Sequence, residues 1–328
     1  MTWQVLVKKQ RGASHVRAGS ENQDAIASTP DIPPGSSMEW GLSVAVSVAD
    51  GHGSPTSFRS ALGARLAVEV SQELSKELIA FAAKGADWST AKRLLEEKAG
   101  RQLVRQWRKR VKEALADNPF QEHELNLLEE RSGSAARARV VDDPYQAYGS
   151  TLLTAVATET FMTFWQIGDG DIVVVDAQGR AGKPLQADAR LLGNATTSLC
   201  SADAAQELRS YVAGTHAPLV LISTDGLANS YADDSGLLSF ASDVMKIIAA
   251  DGLEAVSDHL SEWLQTISER GSGDDIAVGI LCRPAGIPAA AHRAGSHQAD
   301  SHQIGAQHQT GTHRAVDDAE RGRIEEDA

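Results

Sequence analysis

The stretch TLLTAVATETFMTFWQIGDGDIVVVD, residues 151–176, holds three short β-branched and apolar runs: Thr151–Thr158, Thr160–Ile167 and Asp171–Asp176. Only Glu159 separates the first two, and only Gly168-Asp169-Gly170 separates the second from the third. A parallel pair needs a crossover of a dozen or more residues, so these neighbours are expected to run antiparallel. Similar runs recur at Trp3–Lys8, Ser43–Ala49, Leu219–Ser223 and Ile276–Cys282, each bounded by Gly, Asp or Ser. The expected core is therefore an antiparallel sheet.

Helical pattern lies in separate blocks. Phe58, Leu62, Leu66, Val70, Leu74 and Leu78 form an unbroken ladder of spacing four, the mark of one apolar stripe on a long helix. Between about Ser89 and Ala116, Leu95, Ala99, Leu103, Trp107 and Val111 repeat that spacing, with nine Lys and Arg residues between Lys92 and Lys112. Those cations read first as the solvated face of a packed helix, and second as a docking surface for an acidic or phosphorylated partner. Gln121–Asp143 reads as a charged, partly flexible connector, and a third helical region falls near Ala241–Arg270. Strands and helices in segregated blocks, without βα alternation or a repeat, predict an α+β fold with helices packed on a sheet or sandwich.

The 328 residues are enough for one large domain or two modest ones. Lys and Arg number 31 against 44 Asp and Glu, a net charge of −13, which disfavours nucleic acid and anionic membrane surfaces as partners. Cys200 and Cys282 are far apart and form neither a disulfide framework nor a thiolate zinc spacing, which fits a reducing cytoplasm. The first residues lack a signal-peptide core, and no apolar run reaches the length that a bilayer requires. From residue 285 to 328 the composition turns polar and reads as a disordered tail. Five of the ten histidines lie there (His292, His297, His302, His308, His313), spaced so that they could loosely chelate a transition metal; a plain polar tail accounts for them equally well.

The chemistry-bearing feature is a series of Asp residues where apolar runs begin or end. Asp24 follows Glu21-Asn22-Gln23, and Asp50 closes the run from Val44 to Ala49 and opens Asp50-Gly51-His52-Gly53. Asp169 sits in Ile167-Gly168-Asp169-Gly170-Asp171, Asp225 closes Leu219–Thr224, and Asp274 and Asp275 precede Ile276. Each Asp-Gly alone is a common turn. As a set they offer rigid carboxylates at a sheet rim, an oxygen donor set that selects Mg²⁺ or Mn²⁺ over zinc. The Gly51 carbonyl could add a ligand, and His52, two residues from Asp50, is the natural proton donor to a leaving alkoxide.

Glu21-Asn22-Gln23-Asp24, Val48-Ala49-Asp50-Gly51-His52-Gly53, Gly149-Ser150-Thr151, Ile167-Gly168-Asp169-Gly170-Asp171, Ser223-Thr224-Asp225-Gly226 and Gly273-Asp274-Asp275-Ile276-Ala277 occur in the order and spacing of one family. Over roughly residues 10 to 283 the chain resembles the protein phosphatase 2C family, the metal-dependent serine/threonine phosphatases, in its bacterial branch. The resemblance implies a sandwich of two antiparallel sheets flanked by helices, a four-layer αββα domain over residues 1–284 with a long helical block at about 56–130. It also implies two divalent ions, Mn²⁺ or Mg²⁺, with a third held more weakly. Carried over by motif, Asp50 bridges both ions, Asp24 and the Gly51 carbonyl complete part of the shell, Asp225 and Asp274 hold the other ion, and Asp169 matches the third. A metal-bridged hydroxide would attack phosphorus, and His52 would protonate the departing oxygen.

Two positions depart from the family pattern. Asp275 stands where Asn is usual, either supporting Asp274 or competing with it as ligand. The phosphate-binding Arg expected five residues before Asp24 is Gly19, with Arg17 as the nearby candidate. The expected activity is hydrolysis of phosphoserine and phosphothreonine in a phosphorylated protein, with a serine/threonine kinase or its target as partner. The alternatives are a 2C-like module that binds a phosphorylated partner without turnover, which Gly19 motivates, and hydrolysis of a small phosphoester.

Overall fold

The computed structural model describes residues 2–186, 196–214 and 216–288. The histidine-bearing part of the tail lies outside the described residues. The strands are β1 (Gln4–Gln10), β2 (Ala25–Thr29), β3 (Ser36–Glu39), β4 (Val44–Ala49), β5 (Leu152–Ala157), β6 (Met162–Ile167), β7 (Asp171–Val175), β8 (Ala181–Gly182), β9 (Arg209–Ala213), β10 (Leu219–Ser223) and β11 (Ile276–Cys282). The helices are α1 (Ala13–Ala18), α2 (Ser60–Ala83), α3 (Trp88–Leu94), α4 (Gly100–Asp117), α5 (Glu122–Ser132), α6 (Ser134–Asp142), α7 (Ala204–Glu207), α8 (Asp225–Ala228) and α9 (Asp234–Arg270).

Two sheets form, in the orders β3-β1-β11-β10-β7-β8 and β2-β4-β5-β6-β9, and every strand pairing is antiparallel. The fold is α+β, as the segregated blocks predict. One expectation needs correction: β5 and β6 pair as neighbours, but β7 does not pair with β6 and joins β10 in the other sheet. The cause lies in Gly168-Asp169-Gly170. Gly168 has φ 104°, and a Cβ there would meet Thr151 Cβ at 2.5 Å; a Cβ on Gly170 would meet the Ser223 carbonyl at 2.6 Å. Only glycines let the chain turn out of one sheet and settle against β10.

The central strands of both sheets are buried on both faces. Val5, Val7, Val44, Val46, Val48, Leu153, Ala155, Val220 and Ile222 fill the space between them, and Gly279 brings them close, since a Cβ there would meet Val46 Cγ1 at 2.3 Å. The alternate positions Leu6, Val173, Leu219, Leu221 and Val278 face α9, while Ala45, Ala49, Leu152, Val156 and Trp165 face α2 and α4. Four layers result, helix, sheet, sheet, helix. A polar network is buried beneath α2: Trp165 Nε1 donates to Ser71 Oγ at 3.0 Å, Ser71 and Thr154 hydroxyls meet at 2.6 Å, and Gln72 Nε2 donates to Ser47 Oγ at 2.8 Å.

In α2 the ladder is buried only at its C-terminal half, at Val70, Leu74 and Leu78. A spacing of four drifts around a helix of 3.6 residues per turn, so Phe58, Leu62 and Leu66 are only half-buried and Gly63, Ala64 and Ala67 take the inner face. The second ladder is buried throughout, its register kept by a π turn at Leu95–Ala99 between α3 and α4. Of the basic residues on that block, Arg110 pairs with Glu73 and Lys109 with Glu113, while Arg108 lies over the Tyr145 ring.

Residues 121–143 are not the connector that their charge suggests. They form α5 and α6, started by a capping box between Gln121 and Glu124 and sealed by buried Leu128, Ala136 and Val140. Their charges pair internally, Arg137 with Glu122 and Glu129, so the helical block runs past residue 130 to Asp142. The third helical region starts earlier than expected, at Asp234, and bends at Gly252, which has φ 84°.

Candidate active site

The acidic residues converge because the strands that carry them are antiparallel neighbours. Ala25 pairs with Ala49, which sets Asp24 at the head of β2 beside Asp50 at the end of β4. Ser223 pairs with Val278, which sets Asp225 after β10 beside Asp274 and Asp275 before β11. Asp169 enters from the turn that passes between sheets. All of them therefore stand on one end of the sandwich, around a cleft of about 830 Å³.

Asp50, Asp169 and Asp225 bring carboxylate oxygens within 4.8 Å of one another. Asp50 is fixed by its backbone: its N–H donates to Thr151 Oγ1 at 2.9 Å, and its carbonyl accepts from Thr151 N and Ser150 Oγ. Gly51 bridges to Ser150, and a Cβ on it would lie 2.8 Å from the Gln23 and Ser60 carbonyls. Asp225 Oδ2 accepts from Asn229 Nδ2 at 2.8 Å. Gly226 lets β11 pass, because a Cβ there would meet the Asp275 carbonyl at 2.1 Å. Asp24 is 3% exposed and accepts from Thr224 Oγ1 at 2.6 Å.

Burial first, and then repulsion among neighbouring carboxylates, pushes Asp24 and Asp50 well above the usual carboxylate range. The same causes push Asp225 up to about 6, Asp169 and Asp274 being the main neighbours. The described residues lining the cleft include five Asp and no Lys or Arg. A carboxylate-rich donor set with unbalanced negative charge fits hard divalent cations, so Asp24, Asp50, Asp169, Asp225 and Asp274 could hold them, and His15 with Asp274 and Asp275 forms a second group of potential ligand atoms.

Asp274 and Asp275 divide their work. Asp275 is 3% exposed and accepts three bonds, from Gly12 N at 2.7 Å, Gln23 N at 2.6 Å and His15 Nδ1 at 2.8 Å. That supports a positioning rather than a competing role. Asp274 faces the cleft, with its Oδ1 accepting from Asp275 N. His52 lines the cleft as well; its Nε2 lies 2.8 Å from Ser198 Oγ, and burial lowers its pKa while Asp169 opposes that shift. Ser198 Oγ also reaches the Ser150 carbonyl at 3.1 Å and Cys200 Sγ at 3.2 Å.

Arg17 does not reach the cleft. It is exposed on α1 and lines a separate groove with Arg11, Val16, Gln265 and Glu269. Gly19, at φ 71°, ends α1, whose start is tied to the approach to β11 by Gly12 N to Asp275, Ala13 N to Ser268 Oγ and Ser14 Oγ to the Gly273 carbonyl, and His15 faces the acidic site. Sequence reading missed His15, Thr224 and Ser198. Thr224 lay inside a quoted motif and could have been found there; His15 and Ser198 reach the site only through tertiary packing.

The fold and the rim of carboxylates define a class, the two-sheet sandwich with an acidic end site, and the comparisons agree. The sequence matches the family described as Protein phosphatase 2C over residues 11–265, and the chain belongs to that family. Among solved structures it is similar to the serine/threonine phosphatase Stp1 from Staphylococcus aureus, at 10% identity and TM-score 0.52, covering 85% of this chain and 94% of that one. A bacterial serine phosphatase bearing an arginine-to-lysine mutation is similar at 11% identity and TM-score 0.51, covering 85% of this chain and 96% of that one. No curated protein sequence is a significant match. Among the described residues no helix is long and apolar enough to cross a membrane.

Proposed function

We propose that the chain is a metal-dependent protein serine/threonine phosphatase, acting on phosphoserine and phosphothreonine in opposition to a kinase in cytoplasmic signalling. The observation that carries this reading is the cleft itself: Asp50, Asp169, Asp225 and Asp274 line one side of it and Asp143 the rim, and it offers a phosphate no Lys or Arg among its described lining residues. A phosphoryl group would be repelled there unless divalent cations intervened.

Asp24, Asp50, the Gly51 carbonyl, Asp225 and Asp274 would hold two ions, and Asp169 would hold a third more weakly. Mn²⁺ or Mg²⁺ held there would supply an acidified water as nucleophile and offset charge on the phosphoryl oxygens. Asp275 holds the entering and leaving chain segments around Asp274. His52 protonates the departing Ser or Thr oxygen, with Ser198 orienting its ring. Residues 1–284 form the catalytic unit, and the helical block buttresses β4 and β5 beneath the site.

The test is turnover of a phosphothreonine peptide by chelator-treated protein before and after Mn²⁺ is restored. Activity that vanishes with chelator and returns with Mn²⁺ is the expected result. Tight metal binding with no turnover of peptides or of small phosphoesters would overturn it in favour of a phospho-partner binding module.

A further inference from the structure

We infer that His15 supplies a nitrogen ligand, through Nε2, to the ion that Asp274 holds. The inference rests on the metal-dependent reading above and concerns one residue that none of the motifs contains.

Asp275 fixes the ring. Both of its oxygens already accept backbone N–H bonds, from Gly12 at 2.7 Å and from Gln23 at 2.6 Å. The 2.8 Å contact with His15 Nδ1 therefore places the imidazole proton on Nδ1. Nε2 is then the ring nitrogen directed toward Asp274, 3.6 Å from its Oδ1. The distance is too long for a proper hydrogen bond. Neighbouring ligands about 2.1 Å from an octahedral ion lie about 3 Å apart, so a movement of about 0.6 Å would bring the two atoms onto one cation.

A carboxylate holding one imidazole nitrogen so that the other can bind metal is the usual arrangement around a metal-ligating histidine. Here the parts come from three segments: His15 from α1, Gln23 from the approach to β2, and Asp274-Asp275 from the approach to β11. Burial argues the same way, with the His15 side chain 20% exposed and that of Asp275 2% exposed. A surface histidine needs no such cradle.

The chemical consequence is a shift in metal preference. Mg²⁺ favours oxygen donors and gains little from imidazole, whereas transition ions gain more. The site is therefore built to prefer Mn²⁺ over Mg²⁺ by more than its carboxylates alone would provide.

The test compares Mn²⁺ and Mg²⁺ binding by calorimetry, and ¹⁴N coupling to bound Mn²⁺ by pulsed electron paramagnetic resonance, in the wild-type full chain and in His15→Ala and His15→Gln. Unfolding midpoints confirm that both variants are folded. Expected are at least tenfold weaker Mn²⁺ binding in both variants, a change in Mg²⁺ binding of less than about threefold, and loss of a ¹⁴N coupling that the wild type shows. Unchanged Mn²⁺ affinity, or a ¹⁴N signal that persists in both variants, would overturn the assignment while leaving the metal centre standing. Weaker inhibition by inorganic phosphate with unchanged metal affinity would make His15 a substrate contact and overturn it too. No Mn²⁺ binding by the wild type would overturn this assignment and the metal-dependent reading together.

Discussion

Thr224 Oγ1, at the end of β10, donates a 2.6 Å hydrogen bond to Asp24 Oδ2 at the head of β2 in the opposite sheet. The same oxygen accepts from Ala277 N at 2.8 Å, so a single buried hydroxyl links both sheets to a buried acid of the site. Thr224→Val keeps the shape and removes both bonds. Burial of an unsatisfied polar group costs about 1 to 3 kcal/mol, so the metal-free variant should unfold at lower urea, and Thr224→Ser should recover most of the loss. An unchanged urea midpoint in Thr224→Val would refute this role.

Asp225 makes the metal-free protein's stability depend on pH in an unusual direction. Its pKa rises from 3.8 to about 6 on folding, chiefly through burial and then through Asp169 and Asp274. The native state thus holds more protons than the unfolded state between those values, and its stability rises as pH falls through 6 toward 4. His52 and His216, whose pKa values burial lowers, act in the opposite sense below their unfolded values. The comparison is therefore with Asp225→Asn: between pH 7.5 and 4.5 the wild type should gain on the order of 2 kcal/mol relative to the variant. Chemical denaturation in chelator at the two pH values reads it directly, and parallel curves would exclude the effect.

Much of this architecture was legible, and the gaps have physical causes. Leu219–Ser223 and Ile276–Cys282 matched their strands because both faces are buried and the apolar runs are continuous. That same continuity hid which sheet each strand joins, so the passage of β7 into the other sheet could not be read from the short gap before it. β2, β3 and β9 escaped notice because Ala25–Thr29, Ser36–Glu39 and Arg209–Ala213 are short and rich in small or polar residues. α5 and α6 were masked by their charges, which pair with one another once folded. The carboxylates of the site were readable as strand-end residues. Arg17 lies on the other side of α1 because Gly12, Ala13 and Ser14 tie the helix to Ser268, Gly273 and Asp275, long-range contacts that sequence spacing does not reveal.

Arg59 locks the helical block to the site. Its guanidinium pairs with Glu124 at 2.7 Å, donates to the Asn118 and Pro119 carbonyls and to Tyr148 Oη, and stacks over the Phe120 ring. The next residue, Ser60, lies against Gly51. Removing one partner of a fully buried pair costs about 3 to 5 kcal/mol, and with Glu124 partly exposed the expected loss for Arg59→Met is nearer about 2 to 3. Thermal unfolding measures it, and a loss below about 0.5 kcal/mol would show that α5 docks without this contact.

Gly226→Ala tests the close approach of α8 to β11. The added methyl would lie 2.1 Å from the Asp275 carbonyl, which is backbone and cannot swing aside. The two chain segments must separate, and with them Asp225 and Asp274. Mn²⁺ affinity should fall at least tenfold while the far-ultraviolet circular dichroism stays close to that of the wild type. Native metal affinity in that variant would mean that the gap closes without moving either carboxylate.

The importance of His52 depends on the leaving group. Its Nε2 rests 2.8 Å from Ser198 Oγ, which also contacts the Ser150 carbonyl, so a proton leaving Nε2 passes through the serine hydroxyl or follows a small rotation of the ring. Burial lowers the His52 pKa, which makes the imidazolium a stronger acid, though a scarcer one at neutral pH. A departing Ser or Thr alkoxide needs that proton, whereas an aryl phosphate leaves as a phenolate that scarcely does. His52→Ala should therefore lower kcat on a phosphothreonine peptide by about 10² to 10⁴ and on an aryl phosphate by far less. Ser198→Ala should lower kcat in the same selective manner but less steeply, with KM little changed. Equal losses on the two substrates in His52→Ala would remove it as the acid, and the proton would then have to come from solvent.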